Sequence, residues 1–285
     1  MTTYQNPQSV PAYPNPQYPT YPTNQNPSNG YAGAQQYQAN RNSPIIYIHP
    51  NEPNRAENAQ EPSFMRTDKN ERKDFIKKVY ALLTIQLAIT TIFAGITVAV
   101  KPLRDGLILT YPLFWVCIFI SIVLLIALFC SRRLSKKYPY NYIALFIFTL
   151  LESYIIAFIC AYSEPLAVLA AAVMTLSITA GLTIYAWKTK KDFTLMGGLI
   201  TVLIFSVFWF GIFMIFLYST FLYLIYAFIV ALIFGFYIVY DTQLIAGGRY
   251  NELTYDDYVI GALLLYIDII GLFLIILSLF GNKRS

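Results

Sequence analysis

From residue 79 onward, apolar positions come in seven runs separated by short polar breaks, and neither the strict alternation of strands nor a soluble helix's narrow apolar stripe organises them. The runs are Val79–Val100, Tyr111–Cys130, Asn141–Ala161, Pro165–Trp187, Phe193–Leu217, Phe221–Ala246 and Asp257–Phe280. Each has roughly the 20 residues that a helix rising 1.5 Å per residue needs to cross a ~30 Å hydrocarbon layer. The pattern predicts an all-α integral membrane protein, a bundle of seven transmembrane helices over 79–281. The fifth and sixth runs meet at Tyr218-Ser219-Thr220, which leaves room only for a tight hairpin.

The first quarter of the chain reads differently. Residues 1–65 hold eleven of the fifteen prolines and seven tyrosines among many Asn and Gln. Such a segment buries too little apolar surface to offset its ordering entropy, so a disordered, partly polyproline-II tail is expected. Asn15-Pro16-Gln17-Tyr18 has the NPxY form that phosphotyrosine-binding-type adaptors read, which makes tail-binding adaptors one class of expected partner. Residues 66–78 follow as a basic juxtamembrane segment with six Lys/Arg. The polar N-terminus shows no signal peptide, so the first span is expected to direct its own insertion.

Charge then sets orientation. With the N-terminus in the cytosol, fourteen Lys and Arg of the juxtamembrane segment and loops fall on the cytosolic side. Only Lys101, Arg104, Lys283 and Arg284 fall opposite. The last two are discordant and leave open a seventh segment that does not cross fully. Only 12% of residues are charged against 57% hydrophobic, so membrane lipid is the surrounding medium and nucleic acid is no partner.

Chemistry is limited by what is missing. The single histidine, His49, lies in the tail, so the spans hold neither a His-based zinc site nor a Ser/His dyad. Cys117, Cys130 and Cys160 form no CxxC and read as buried free thiols. Gln86, Thr90 and Thr91 mark a polar part of the first span. Thr175, Ser177, Thr179 and Thr183 recur at helical spacing in the fourth, where small and hydroxyl residues predict a packing surface. Most of the many Tyr and Phe are expected to face lipid or form interfacial belts.

Three carboxylates lie within spans: Glu152 in the third, Asp241 in the sixth and Asp268 in the seventh. Ionisable groups in hydrocarbon are costly, and no Lys or Arg lies deep enough to neutralise these. Two carboxyls that share a site share a proton, and their titration belongs to the pair. Alternatively, Asp241 faces water at its helix end while Asp268 bonds a neighbouring helix. Gly247-Gly248 is expected to end the sixth helix, and Thr254 with Asp257 to cap the seventh. Counted from those ends, the two aspartates differ in depth by roughly 12 Å, which opposes a direct pair.

The strings VYALLTIQLAIT (79–90), AAAVMTLSITAGLTIYAWKTKKDFTLMGGLI (170–200) and GFYIVYDTQLIAGGRYNELTYDDYVIGALLLYIDIIGLFLIILSLFG (235–281) resemble signatures of the Bax inhibitor/lifeguard family. The Pro/Tyr/Gln-rich tail resembles that of lifeguard members. The resemblance implies a central seventh helix wrapped by two three-helix layers. It also implies a pH-sensitive calcium leak across intracellular membranes and suppression of cell death. Endoplasmic reticulum or Golgi is the implied location, with the plasma membrane as an alternative.

By motif, the family's proton-sensing aspartates fall on Asp241 and Asp268, which would also be the calcium contacts. Its latching arginine falls on Arg132 or Arg133, and Glu152 resembles an acidic position of lifeguard members. Calcium is implied as permeant ion, with no cofactor, and apoptotic regulators as protein partners. A competing reading is a non-conducting scaffold for such regulators. An intramembrane aspartyl protease would need GxGD where this chain has Leu265-Tyr266-Ile267-Asp268, and a seven-helix receptor would need DRY and NPxxY motifs that are missing.

Overall fold

A computed structural model describes residues 63–216, 219–247 and 253–280, all within one compact unit, Ala59–Ser285. The proposed NPxY motif, the rest of the segment before residue 63, Arg249, Lys283 and Arg284 lie outside the described residues, as do the side chains of 63–69, Arg132 and Ile215. Among the described residues nine α-helices run in order: α1 (Ser63–Ala99), α2 (Lys101–Leu109), α3 (Tyr111–Cys130), α4 (Arg132–Lys136), α5 (Tyr140–Ala161), α6 (Pro165–Lys188), α7 (Gly197–Phe216), α8 (Thr220–Ala246) and α9 (Tyr258–Phe280). A 3₁₀ turn, Phe193–Met196, leads into α7. Seven of these helices (α1, α3, α5, α6, α7 with its leading turn, α8 and α9) are long and apolar enough to cross a membrane.

The spans lie where the apolar runs place them, and three details differ. First, the basic segment is no separate unit: α1 is continuous from Ser63 through Ala99, with no break at 78/79. Its buried positions, Phe75, Val79, Leu83, Gln86, Thr90, Ala94 and Thr97, recur every three or four residues. One inward stripe thus runs from the basic segment into the span. Second, the 101–110 break is itself the short helix α2, with Pro102 in its first turn, where a missing N–H costs nothing. Third, the 131–139 break contains α4.

Burial identifies the centre. In α5 and α9, 56% of the most apolar window is buried, against 6% in the fifth span. Helix α9 packs on α1, α4, α5, α6 and α8, as the resemblance implies for the seventh span. The fully buried side chains include Tyr266, Phe148, Phe75, Ile238 and Leu263. Not all aromatics lie at the periphery, therefore: Tyr266 is 0% exposed, at the middle of the bundle. The outer faces of α3, α6 and α7 present Phe119, Leu176 and Phe205 outward, as lipid-facing helices must. In α6, Val168, Ala171 and Thr175 are buried, which agrees with a packing surface toward α8 and α9; Ser177 is exposed and bonds its own helix at the Val173 carbonyl.

Among the thiols, Cys117 and Cys160 are buried, whereas Cys130 is exposed at the end of α3, contrary to the expectation for all three. Thr91 is also exposed, so the polar inner face of the first span consists of Gln86, Thr90 and Thr97.

Candidate functional site

Asp241 and Asp268 are 3% and 6% exposed and lie within hydrogen-bonding reach of each other across the α8–α9 contact. The expected depth gap does not open, because the two helices do not start and stop at the same level. Helix α8 ends at Gly247, whose φ of 93° is the left-handed conformation that glycine adopts without steric cost. The chain then folds back, and the Leu253 N–H donates to the Leu244 carbonyl at 3.2 Å. Gly261 therefore lies level with Ile245, close enough that a Cβ on it would stand 3.4 Å from Ile245 Cγ1. Measured from that shared level, Asp241 is four residues and Asp268 seven residues deeper. The gap shrinks to about 4.5 Å, which two carboxyl side chains can bridge. The first turn of α9 thus begins beyond the end of α8.

That proximity has a chemical consequence. An ionised carboxylate is an acceptor only, so a bond between two carboxyls needs a proton between them. The second oxygen of Asp268, Oδ2, is buried and has no hydrogen-bond partner. Tyr237, one turn before Asp241 on α8, points its phenol toward the same region, and its Oη is likewise buried and unpartnered. The site therefore keeps spare polar capacity. Among the described residues no ion pair reaches either aspartate, and no three His, Cys, Asp or Glu side chains converge to hold a metal ion.

The two arginines proposed as a latch lie in α4. Arg133 is exposed and reaches neither aspartate; the Arg132 side chain lies outside the described residues. Other cations stand at this end of the bundle, and sequence reasoning did not single them out. Lys136 pairs with Asp257 at 2.8 Å and donates to Thr254 Oγ1 at 3.3 Å. Thr254 also donates to Asp257, and the Gly261 N–H donates to the Asp257 carbonyl at 2.9 Å, the first backbone bond of α9. Burial alone would push the Asp257 carboxyl up; the Lys136 ammonium and the Thr254 hydroxyl more than offset it, and the group sits below its ordinary value. Arg72 lies over the rings of Phe75 and Tyr255, at 5.3 and 4.8 Å, and donates to the Leu253 carbonyl at 2.9 Å. The segment 253–257 is thus fastened over the end of α9 by cations from α1 and α4.

Gln243 was also missed, although it stands two residues from Asp241. Its side chain accepts from the Phe193 N–H at 2.7 Å and donates to the Lys191 carbonyl at 2.9 Å, tying the α6–α7 connection to α8. A cavity of about 420 Å³ opens beside it, lined by Trp187, Lys190, Lys191 and Gly247 among others. Two lysines make it a poor vestibule for a cation.

Glu152 does not join the aspartates. It lies half-buried on α5, where Ser121 of α3 donates to its Oε1. Nearby, a second polar cluster joins α1, α5 and α9. Thr90 lies 2.8 Å from the Tyr266 hydroxyl and 3.0 Å from Ser153, and Gln86 donates to Thr149 at 3.1 Å. Tyr266 and Asp268 are two positions apart and so face opposite sides of α9. One side carries the hydroxyl cluster and the other the carboxyl pair.

Comparison with known proteins agrees with this architecture. Residues 72–285 match the family described as inhibitor of apoptosis-promoting Bax1. The chain is 30% identical to protein lifeguard 3 of Mus musculus, over 93% of this chain and 88% of that protein. It is 29% identical to the Homo sapiens protein of the same name, over 95% and 83%. It is 35% identical to a BI1-like protein of Arabidopsis thaliana, over 73% and 80%. The chain belongs to the Bax inhibitor/lifeguard family of multi-pass helical membrane proteins.

Proposed function

We propose that this protein is a pH-sensitive, calcium-permeable leak channel or calcium-homeostasis regulator of intracellular membranes, acting in the suppression of cell death with which its family is associated. The observation that carries this reading is a pair of buried carboxyls within hydrogen-bonding reach of each other, with no ion pair to either among the described residues. A pair that shares one proton has two nearby states. Holding the proton, it draws α8 and α9 together; losing it, it places two like charges side by side and favours water or a cation between them. Calcium is the permeant ion, met by oxygen ligands of the kind that Asp241 and Asp268 supply. The Lys/Arg distribution supports an N-terminus in the cytosol, and endoplasmic reticulum or Golgi is the membrane that the family resemblance implies.

The test is flux from calcium-loaded vesicles holding the purified full chain. Asp268→Asn mimics the protonated carboxyl at every pH, and it should remove most of the pH dependence between about pH 6 and 8. A folded Asp268→Asn protein with unchanged pH dependence would exclude the pair as sensor. Absence of flux in wild type at every pH would leave a scaffold for apoptotic regulators as the surviving reading.

A further inference from the structure

Helix α3 is held to the bundle by a narrow face. Its buried residues are Cys117, Ser121 and Leu128, and its long contact is with α5. Within that face the polar tie is the hydroxyl of Ser121, 3% exposed, on the carboxyl of Glu152. Glu152 is the thirteenth residue of α5, so it stands about 18 Å along the helix, near mid-membrane.

We propose that Glu152 is a second proton-binding site, separate from the aspartate pair, and that its proton keeps α3 docked on α5. A carboxylate at this depth with one hydroxyl donor and no counter-ion would carry the full cost of a charge in hydrocarbon; the neutral acid avoids it.

The groups facing Glu152 offer no other compensation. From α3 comes Ser121 and from α9 the phenol of Tyr266; on α1, Gln86 Nε2 donates to Thr149 and Thr90 to its own backbone, and Gln86 Oε1 is a buried acceptor, which offers a carboxylate nothing. On α5 itself, Thr149 and Ser153 are spent on the backbone one turn back. Helix α2 brings Lys101, Arg104 and Asp105, but these stand at the end of the bundle where α1 finishes, and Arg104 is paired with Asp105. Ser121 bonds Oε1, so Oε2 is the oxygen left to carry the proton.

This site lies on the opposite side of α9 from Asp268 and does not depend on the proposed leak. Its ligand is the proton, and its structural consequence is confined to the α3–α5 seam. Infrared spectroscopy of the reconstituted full chain reads it directly through the carbonyl stretch of a protonated carboxylic acid. Across about pH 5 to 9, Glu152→Gln should delete one such band, and Asp268→Asn should leave that band in place. Ser121→Ala keeps the acid but removes its hydroxyl partner, and should shift the band without deleting it. If Glu152→Gln fails to fold, the Ser121→Ala shift alone decides. A wild-type spectrum unchanged by Glu152→Gln, or a band unmoved by Ser121→Ala, would overturn the assignment.

Discussion

Gly271 stands three residues beyond Asp268 on α9, where α8 comes closest. A Cβ built there would sit 2.3 Å from both Cε1 and Cζ of Phe234 and 3.0 Å from its Cδ1. Carbon atoms settle near 3.5–4.0 Å, so a single methyl group overlaps the ring by more than 1 Å. Phe234 is half-buried and packed against the core, and its ring is rigid; it must swing toward lipid or the helices must part. Overpacking of this kind costs about 1–3 kcal/mol. At about 2–4 °C per kcal/mol for a chain of this size, Gly271→Ala should lower the melting temperature of the detergent-purified protein by about 2–12 °C. The cost should depend on the ring. In a Phe234→Leu background the same Gly271→Ala change should cost less than half as much, a coupling of about 0.5–3 kcal/mol. The contact also sets the spacing of the aspartate pair about 4.5 Å away along α9, so Gly271→Ala should weaken the pH dependence of calcium flux as well. Gly271→Ala at wild-type stability, or additive effects of the two changes, would show that ring contact does not set the α8–α9 distance.

The remaining predictions concern the carboxyl pair and the cations near it. If Asp241 and Asp268, which lie within hydrogen-bonding reach, share a proton, the double Asp241→Asn, Asp268→Asn protein should match either single variant in the pH response of vesicle flux; two additive shifts would mean independent sites. Arg133 is exposed, so Arg133→Ala should leave neutral-pH flux unchanged, whereas Arg132→Ala should raise it if α4 supplies the latch; no change with either would remove the latch from this protein. The Lys136–Asp257 pair is partly exposed, and Lys136→Met should cost about 0.2–1 kcal/mol at neutral pH. The Asp257 carboxyl sits below its ordinary value in the folded protein, so that stabilisation is present above the unfolded value near about 3.9 and is lost as pH falls through the folded one. Thermal melts of Lys136→Met and wild type should therefore converge in acid, and a difference that persists or grows there would refute the pairing.

The seven spans were legible because the bilayer imposes one length on each apolar run, and composition alone reads that length. The three carboxyls within spans were legible for the matching reason: any charge in such a run is conspicuous. What the sequence hid was relative height. Counting residues from the helix ends put Asp241 and Asp268 on different levels. The count assumed that α8 and α9 meet at a common plane, whereas the fold-back at Leu253 lets α9 start beyond the end of α8. A backbone hydrogen bond between two loop-flanking residues leaves no trace in hydropathy. The hub at Tyr266 was hidden differently. Tyrosine is common in this chain, with 24 copies, and at most positions in a membrane protein it marks an interface. Only the positions of Thr90 on α1 and Ser153 on α5 make this one a hydrogen-bonding core residue, and those two residues are 63 apart in sequence. Arg72 was overlooked because a basic residue before a span reads as a topology signal. That signal needs only a charge on the correct side, whereas the seat over Phe75 and Tyr255 uses the flat face of a guanidinium. The same residue can therefore satisfy the orientation rule and fasten the loop above the carboxyl pair, and Arg72→Lys separates the two roles because it preserves the first and loses the second.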